Sequence, residues 1–165
     1  MVSRLPVRSL RFEPLPTNLG RRLLVADFEG GLRVTTAHFE SMPAGRPVRV
    51  AQLQKAFPLL TGRASVLTGD FNFGDLDTTE KAAMQPDFVD LWPALHPGDP
   101  GYTRDTLANP MGSRAQSSRQ ERLDKILIHR LNPQSIQRLG TEPTGAALYP
   151  SDHFGLLAHI ERDSS

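Results

Sequence analysis

Cysteine is absent from the 165 residues, which excludes disulfides and thiolate metal sites. Any metal ligand must then be a carboxylate, an amide or an imidazole. The same absence agrees with a reducing, cytoplasmic setting. Net charge is also almost missing: 19 basic against 18 acidic residues leave +1. No global field therefore favours gripping a polyanion along its length, and affinity for phosphate must be local. Long apolar runs are missing too. Met1 to Pro6 has no signal-peptide core and no later stretch approaches a membrane span, so the expectation is an intracellular protein with no membrane association.

What is present is an ordinary globular composition, 38% hydrophobic and 22% charged, enough for one domain with a core. Sixteen of the 19 basic residues are arginines. Their planar fork suits bidentate phosphate contact, although a GC-rich genome gives the same bias.

The proline-punctuated entry from Arg4 to Asn18 reads as extended chain with room for one edge strand. Leu23–Phe28 and Leu32–Phe39, separated by Glu29-Gly30-Gly31, read as a hairpin with His38 at the end of the second strand. Between Pro47 and Leu60, Val50, Leu53, Phe57 and Leu60 recur at helical spacing, with Arg49, Gln52, Gln54 and Lys55 expected on the polar side. Ala64–Thr68 is a buried strand delivering Asp70 to a loop. Strand, helix, strand is an α/β signature. From Phe71 to Ser118 the prolines break the chain into short elements, and the polar Gly112–Gln120 stretch is expected to be mobile. Three strands are expected near the end, over Arg122–His129, Gln134–Thr141 and Gly155–Ile160.

Four groups carry chemistry. Asp70 and Asn72 lie two apart after a buried strand, where one pleat would point both the same way, although Gly-Asp-x-Asn also suits a plain turn. Ser151-Asp152-His153 sets an acid beside an imidazole before an apolar strand; a helix cap or surface loop reads the same way. Asp124 lies in an apolar strand, where an ionised carboxylate needs a partner. A histidine is the natural one, with Arg122 or Lys125 as the structural alternative. His38, taken singly, also reads as an ordinary strand-end histidine, and Ser41 adds little alone.

Jointly, His38-x-Glu40-Ser41, Gly69-Asp70-x-Asn72, Arg122-x-Asp124-x-Ile126 and Ser151-Asp152-His153 resemble the endonuclease/exonuclease/phosphatase superfamily. The likeness is to its tyrosyl-DNA phosphodiesterase 2-like members, through further matches at Arg49–Leu53, Val89–Trp92, Tyr102–Thr106 and Ser151–Leu156. The resemblance implies an α/β fold, a four-layer DNase I-like β-sandwich flanked by helices. It implies hydrolysis of a phosphate ester, with DNA ends as one substrate, by in-line attack of water assisted by Mg2+ or Mn2+. By the same resemblance Asp70 aligns the water, Asn72, His38 and Ser41 contact phosphate, Asp152 lies near the metal, His153 stabilises developing charge and Asp124 orients His153.

The chain departs from the family pattern at three places. Arg104 stands where relatives carry an aromatic residue, and Phe154 where they carry a tryptophan. No residue before His38 matches the family's asparagine strand or its metal-binding glutamate. Residues 1–165 are therefore expected to form one incomplete domain lacking its N-terminal part, with exposed apolar surface where strands are missing. The alternative function is a catalytically inactive phosphate- or nucleic-acid-binding remnant.

Overall fold

The structure, a computed structural model, describes residues 1–112, 118–146 and 148–162. The polar stretch expected to be mobile lies mostly outside the described residues.

Four strands open the chain: β1 (Val7–Pro14), β2 (Arg22–Phe28), β3 (Arg33–His38) and, after helix α1 (Arg46–Ala56), β4 (Ser65–Asp70). Short elements follow: α2 (Thr78–Ala82), β5 (Val89–Asp90), α3 (Leu91–Leu95), β6 (Arg104–Asp105) and β7 (Gln120–Glu121). Strands β8 (Asp124–His129), β9 (Asn132–Leu139) and β10 (Gly155–Glu161) complete the fold. One six-stranded sheet runs in the order β1-β2-β3-β4-β8-β5, and β9 with β10 and β6 with β7 form two-stranded sheets. The hairpin of β2 and β3 turns through Gly30 and Gly31 at φ 77 and 87. The expected strand, helix, strand unit is the parallel pair β3 and β4, with α1 as its crossover. No helix among the described residues is long and apolar enough to cross a membrane.

Alternation along the strands divides the core in two. Leu23, Val25, Ala37, Leu67 and Leu127 point to the α1 side, where Leu53, Ala56, Phe57, Leu60, Phe71 and Phe73 cover them. On the opposite face Val66, Ile126 and Ile128 pack with Trp92, Leu131, Ile136, Leu156 and Ala158 from α3, the turn between β8 and β9, β9 and β10. That second layer leaves the β1 end of the face open. Leu10 and Phe12, opposite Ala26 and Leu24, remain 58% and 63% exposed.

The helix corrects one expectation. Arg49 and Gln52 lie buried rather than on the polar side. Gln52 accepts the Glu40 N–H at 2.9 Å and donates to the Pro16 carbonyl at 2.8 Å. Arg49 donates to the Glu40 and Met42 carbonyls and to the fully buried Glu80. Both side chains satisfy backbone groups of the segment after β3, which offsets the cost of burying them.

Gly69 explains why its motif begins with glycine. Its φ is 135, and a Cβ there would overlap the Ala37 carbonyl oxygen of the paired strand. Gly69→Ala is expected to destabilise the protein by about 3 kcal/mol or more, read as a lower midpoint in urea unfolding; an unchanged midpoint would mean that β3 and β4 can separate at this point without loss.

Candidate active site

His38 ends β3, Asp70 ends β4 and Asp124 begins β8. The register pairs His38 with Asp70 and Asp70 with Asp124, so the three side chains leave one face of the sheet as a row. His38 Nε2 lies 3.3 Å from Asp70 Oδ2, and the His38 side chain is half exposed. The row sits at the C-terminal end of a parallel pair, a usual place for functional groups in α/β sheets.

Of the two readings open for Asp70 and Asn72, a shared pleat and a plain turn, the structure takes the turn. β4 ends at Asp70, and Asn72 takes the left-handed φ of 54 that asparagine tolerates. Asp70 Oδ1 accepts the Asn72 backbone N–H at 2.8 Å, an Asx turn. The Asn72 amide donates to the Phe39 carbonyl at 2.9 Å and reaches Ser41 Oγ at 3.4 Å. Ser41 is thereby joined to Asn72, and Arg21 donates to the same hydroxyl at 2.8 Å. Arg21 was not legible as a site residue, since it lies before β2 in a stretch with no motif.

His153 Nδ1 lies 2.7 Å from Asp124 Oδ2. The structural alternative fails for a geometric reason: Arg122 is held by Asp75 and Asp90, and the Lys125 ammonium donates to the Arg122 carbonyl at 2.8 Å. Two residues outside the predicted set hold this pair together. Buried Thr103 accepts the N–H groups of Leu123 and Asp124 at its hydroxyl, both at 3.0 Å, while its carbonyl accepts the Phe154 N–H at 2.7 Å. Buried Asn109 donates to the Ser151 carbonyl at 2.8 Å. The Tyr102–Thr106 match signalled this loop; its bracing role needed the tertiary contacts.

The electrostatics separate the two carboxylates. Burial, reinforced by the nearby Asp124 charge, raises the Asp70 pKa, against the Asn72 N–H and the two imidazoles. The hydrogen bond to Asp124 raises that of His153, against partial burial. Asp70 is therefore a more basic carboxylate than usual, and His153 a more persistent cation.

Asp152 is exposed on the loop before β10, with Ser151 Oγ 3.4 Å from its Oδ1. A hard divalent cation takes about six oxygen ligands. Among the described residues no group of three or more His, Asp or Glu side chains is arranged to hold a metal ion. Asp124 is committed to His153, and Asp70 to the Asn72 N–H and His38. The donors among the described residues thus do not form a complete Mg2+ or Mn2+ site.

The strand order of this sheet and the layer packed on it define a fold. The chain has the DNase I-like fold of the endonuclease/exonuclease/phosphatase superfamily: it superposes on an endonuclease/exonuclease/phosphatase from Beutenbergia cavernae with TM-score 0.70 at 21% identity, covering 97% of this chain and 46% of that one. Its particular likeness is to tyrosyl-DNA phosphodiesterase 2. The rat enzyme is 30% identical over 160 residues, 89% of this chain and 43% of that protein. The D. rerio TDP2 crystal structure in complex with a single-strand DNA product matches with TM-score 0.82 at 25% identity, covering 96% of this chain and 69% of that one. No family model matches the sequence. The chain spans less than half the length of the curated relatives it matches.

Two outcomes follow for the pair and its brace. Because His153 has a raised pKa in the folded state, its stabilising contribution is complete below the unfolded value of about 6.5 and is lost as pH rises through the folded value. Asp124→Asn should flatten that part of a Tm-against-pH curve, measured by calorimetry; a curve unchanged from the parent would show that the pair does not stabilise the fold. Thr103→Val leaves two buried N–H groups without an acceptor and should cost about 1–3 kcal/mol in urea unfolding.

Proposed function

We propose that the chain is the part of a phosphodiesterase that aligns water and stabilises charge on a phosphate ester, with DNA ends as the substrate class. The observation that carries this reading is the convergence of Asp70, His38, Asp124 and His153 at one strand edge, with Asn72 and Ser41 joined beside them. Water attacks phosphorus opposite the departing ester oxygen, and Asp70 takes its proton. A carboxylate with a raised pKa does this better than an ordinary one. The Asn72 amide and the Ser41 hydroxyl hold the phosphate, with His38 at the rim. The His153 imidazolium, kept charged by Asp124, faces the charge that develops on the phosphoryl oxygens. Asp124 is thus a positioning residue acting through the ring. The tyrosyl-DNA phosphodiesterase 2 relatives and the DNA-bound neighbour support the choice of DNA over other esters.

A second reading, phosphate binding without turnover, is favoured by the incomplete cation donor set. Hydrolysis of bis(4-nitrophenyl) phosphate and of a 5′-tyrosyl oligonucleotide with Mg2+ added separates the two. The phosphodiesterase reading expects turnover that falls about 10²- to 10⁴-fold in His153→Ala and that disappears in Asp70→Asn. Product binding with no turnover would establish the second reading instead. The pH profile is also fixed in sign. The rate should rise with pH as Asp70 ionises, above the ordinary carboxylate range, and fall as His153 loses its proton above about pH 6.5. In Asp124→Asn the falling limb should move to lower pH; no movement would remove Asp124 from the mechanism.

A further inference from the structure

Beside Asn72 and Ser41 lies a cavity of about 300 Å3 whose wall includes Arg46, Arg49, Arg104 and Arg119. Two of these arginines are already neutralised. Arg49 is held by Glu80, and Arg46 by Asp77 at 2.9 Å and Glu80 at 3.2 Å. Arg104 and Arg119 differ. Among the described residues neither has a carboxylate within ion-pair distance, although Glu121 lines the same cavity and is the cross-strand neighbour of Arg104. Among the described residues the only side-chain hydrogen bond of Arg104 is a long one of 3.4 Å to the Gly112 carbonyl, and its buried Nε has no partner there.

Arg104 also lines a second cavity of about 300 Å3 with Ser151 and Asp152. It therefore stands between the Asn72 side of the site and the loop that carries His153. A guanidinium that lines a cavity with no carboxylate in ion-pair distance leaves its charge free for an anion held there, and that charge-assisted contact is the stronger for being partly shielded from water. Phosphate matches the guanidinium fork in geometry as well as charge.

We propose that the Arg104 and Arg119 cavity is a second phosphate subsite, which takes a further phosphate of the substrate while the Asn72 and Ser41 end holds the scissile one. The inference rests on the phosphate-ester reading of the site. It makes the preferred substrate an ester with another phosphate on the adjoining unit, either a terminal monoester or a backbone diester. Arg104 is a specificity-determining residue in this arrangement, selecting charge at a position where stacking would select an aromatic ring.

Calorimetric titration at low ionic strength with thymidine 5′-monophosphate, thymidine 3′,5′-bisphosphate and the dinucleotide pTpT tests this. Either second phosphate should tighten binding about 10-fold over the monophosphate, as expected for one charge-assisted contact. The larger gain identifies a terminal or a backbone phosphate as the natural occupant. Arg104→Ala and the exposed Arg119→Ala, each checked for folding by circular dichroism, should abolish the gain and leave monophosphate affinity intact. Equal affinity for all three ligands, with monophosphate binding lost in Asn72→Asp, overturns the second subsite and leaves the first reading standing. Equal loss of all three ligands in Arg104→Ala also overturns it, since Arg104 then serves the first phosphate. Absence of binding by any ligand overturns both.

Discussion

The register of β3, β4 and β8 is the constraint on which the site depends. His38, Asp70 and Asp124 come from positions far apart in the chain, and they face one another because each is a register neighbour of the next. A slip of one residue in any of the three strands would turn its functional side chain to the opposite face, into the apolar layer beneath α1. Gly69 locks that register by letting the Ala37 carbonyl approach to a distance no side chain permits. Its absent Cβ is thus as much a part of the site as the carboxylate that follows it.

Around this row the protein spends buried polar groups on loops rather than on the core. Glu40 bonds Thr17 and the Asn18 N–H, while Gln52 and Arg49 bond the backbone on either side of it. The segment carrying Ser41 is thereby fixed without regular structure of its own. Thr103 and Asn109 do the same for the strand start at Asp124 and the loop at Ser151. Loops held at several backbone atoms can present side chains with little reorganisation, which is what charge stabilisation in a reaction requires. The Arg122 guanidinium, gripped by Asp75 and Asp90, ties the turn after β4 to β5 in the same manner.

Electrostatically the site holds two opposed groups close together. Asp70 is made more basic by burial and by a neighbouring carboxylate, while His153 is kept cationic by that same carboxylate. Asp124 therefore acts on both: it repels charge from Asp70 and draws it onto His153. Such divergence between adjacent titratable groups is what assigns them different roles in proton transfer.

Much of this was legible in the sequence. Hydrophobic alternation and glycine placement located β2, β3, β4 and β8, because strand periodicity and turn chemistry are local properties. The four motifs supplied Asp70, Asn72, Asp124 and His153 as candidates, and the cost of an ionised group in an apolar strand called for the partner that Asp124 finds in His153. Periodicity misassigned Arg49 and Gln52, since a helix pattern counts polar residues as solvent-facing and cannot see an unsatisfied carbonyl waiting opposite. For Asp70 and Asn72 the sequence left a shared pleat and a plain turn open, and the chain makes the turn. Arg21, Thr103 and Asn109 carry no pattern of their own and acquire roles only from backbone groups distant in sequence. The sequence by itself determined the elements and the chemical types at the site, because those follow from neighbouring residues. Only the tertiary structure decided which histidine meets which carboxylate and which arginines are left without one among the described residues, because pairing is settled by strand register and by competition among partners brought together from across the chain.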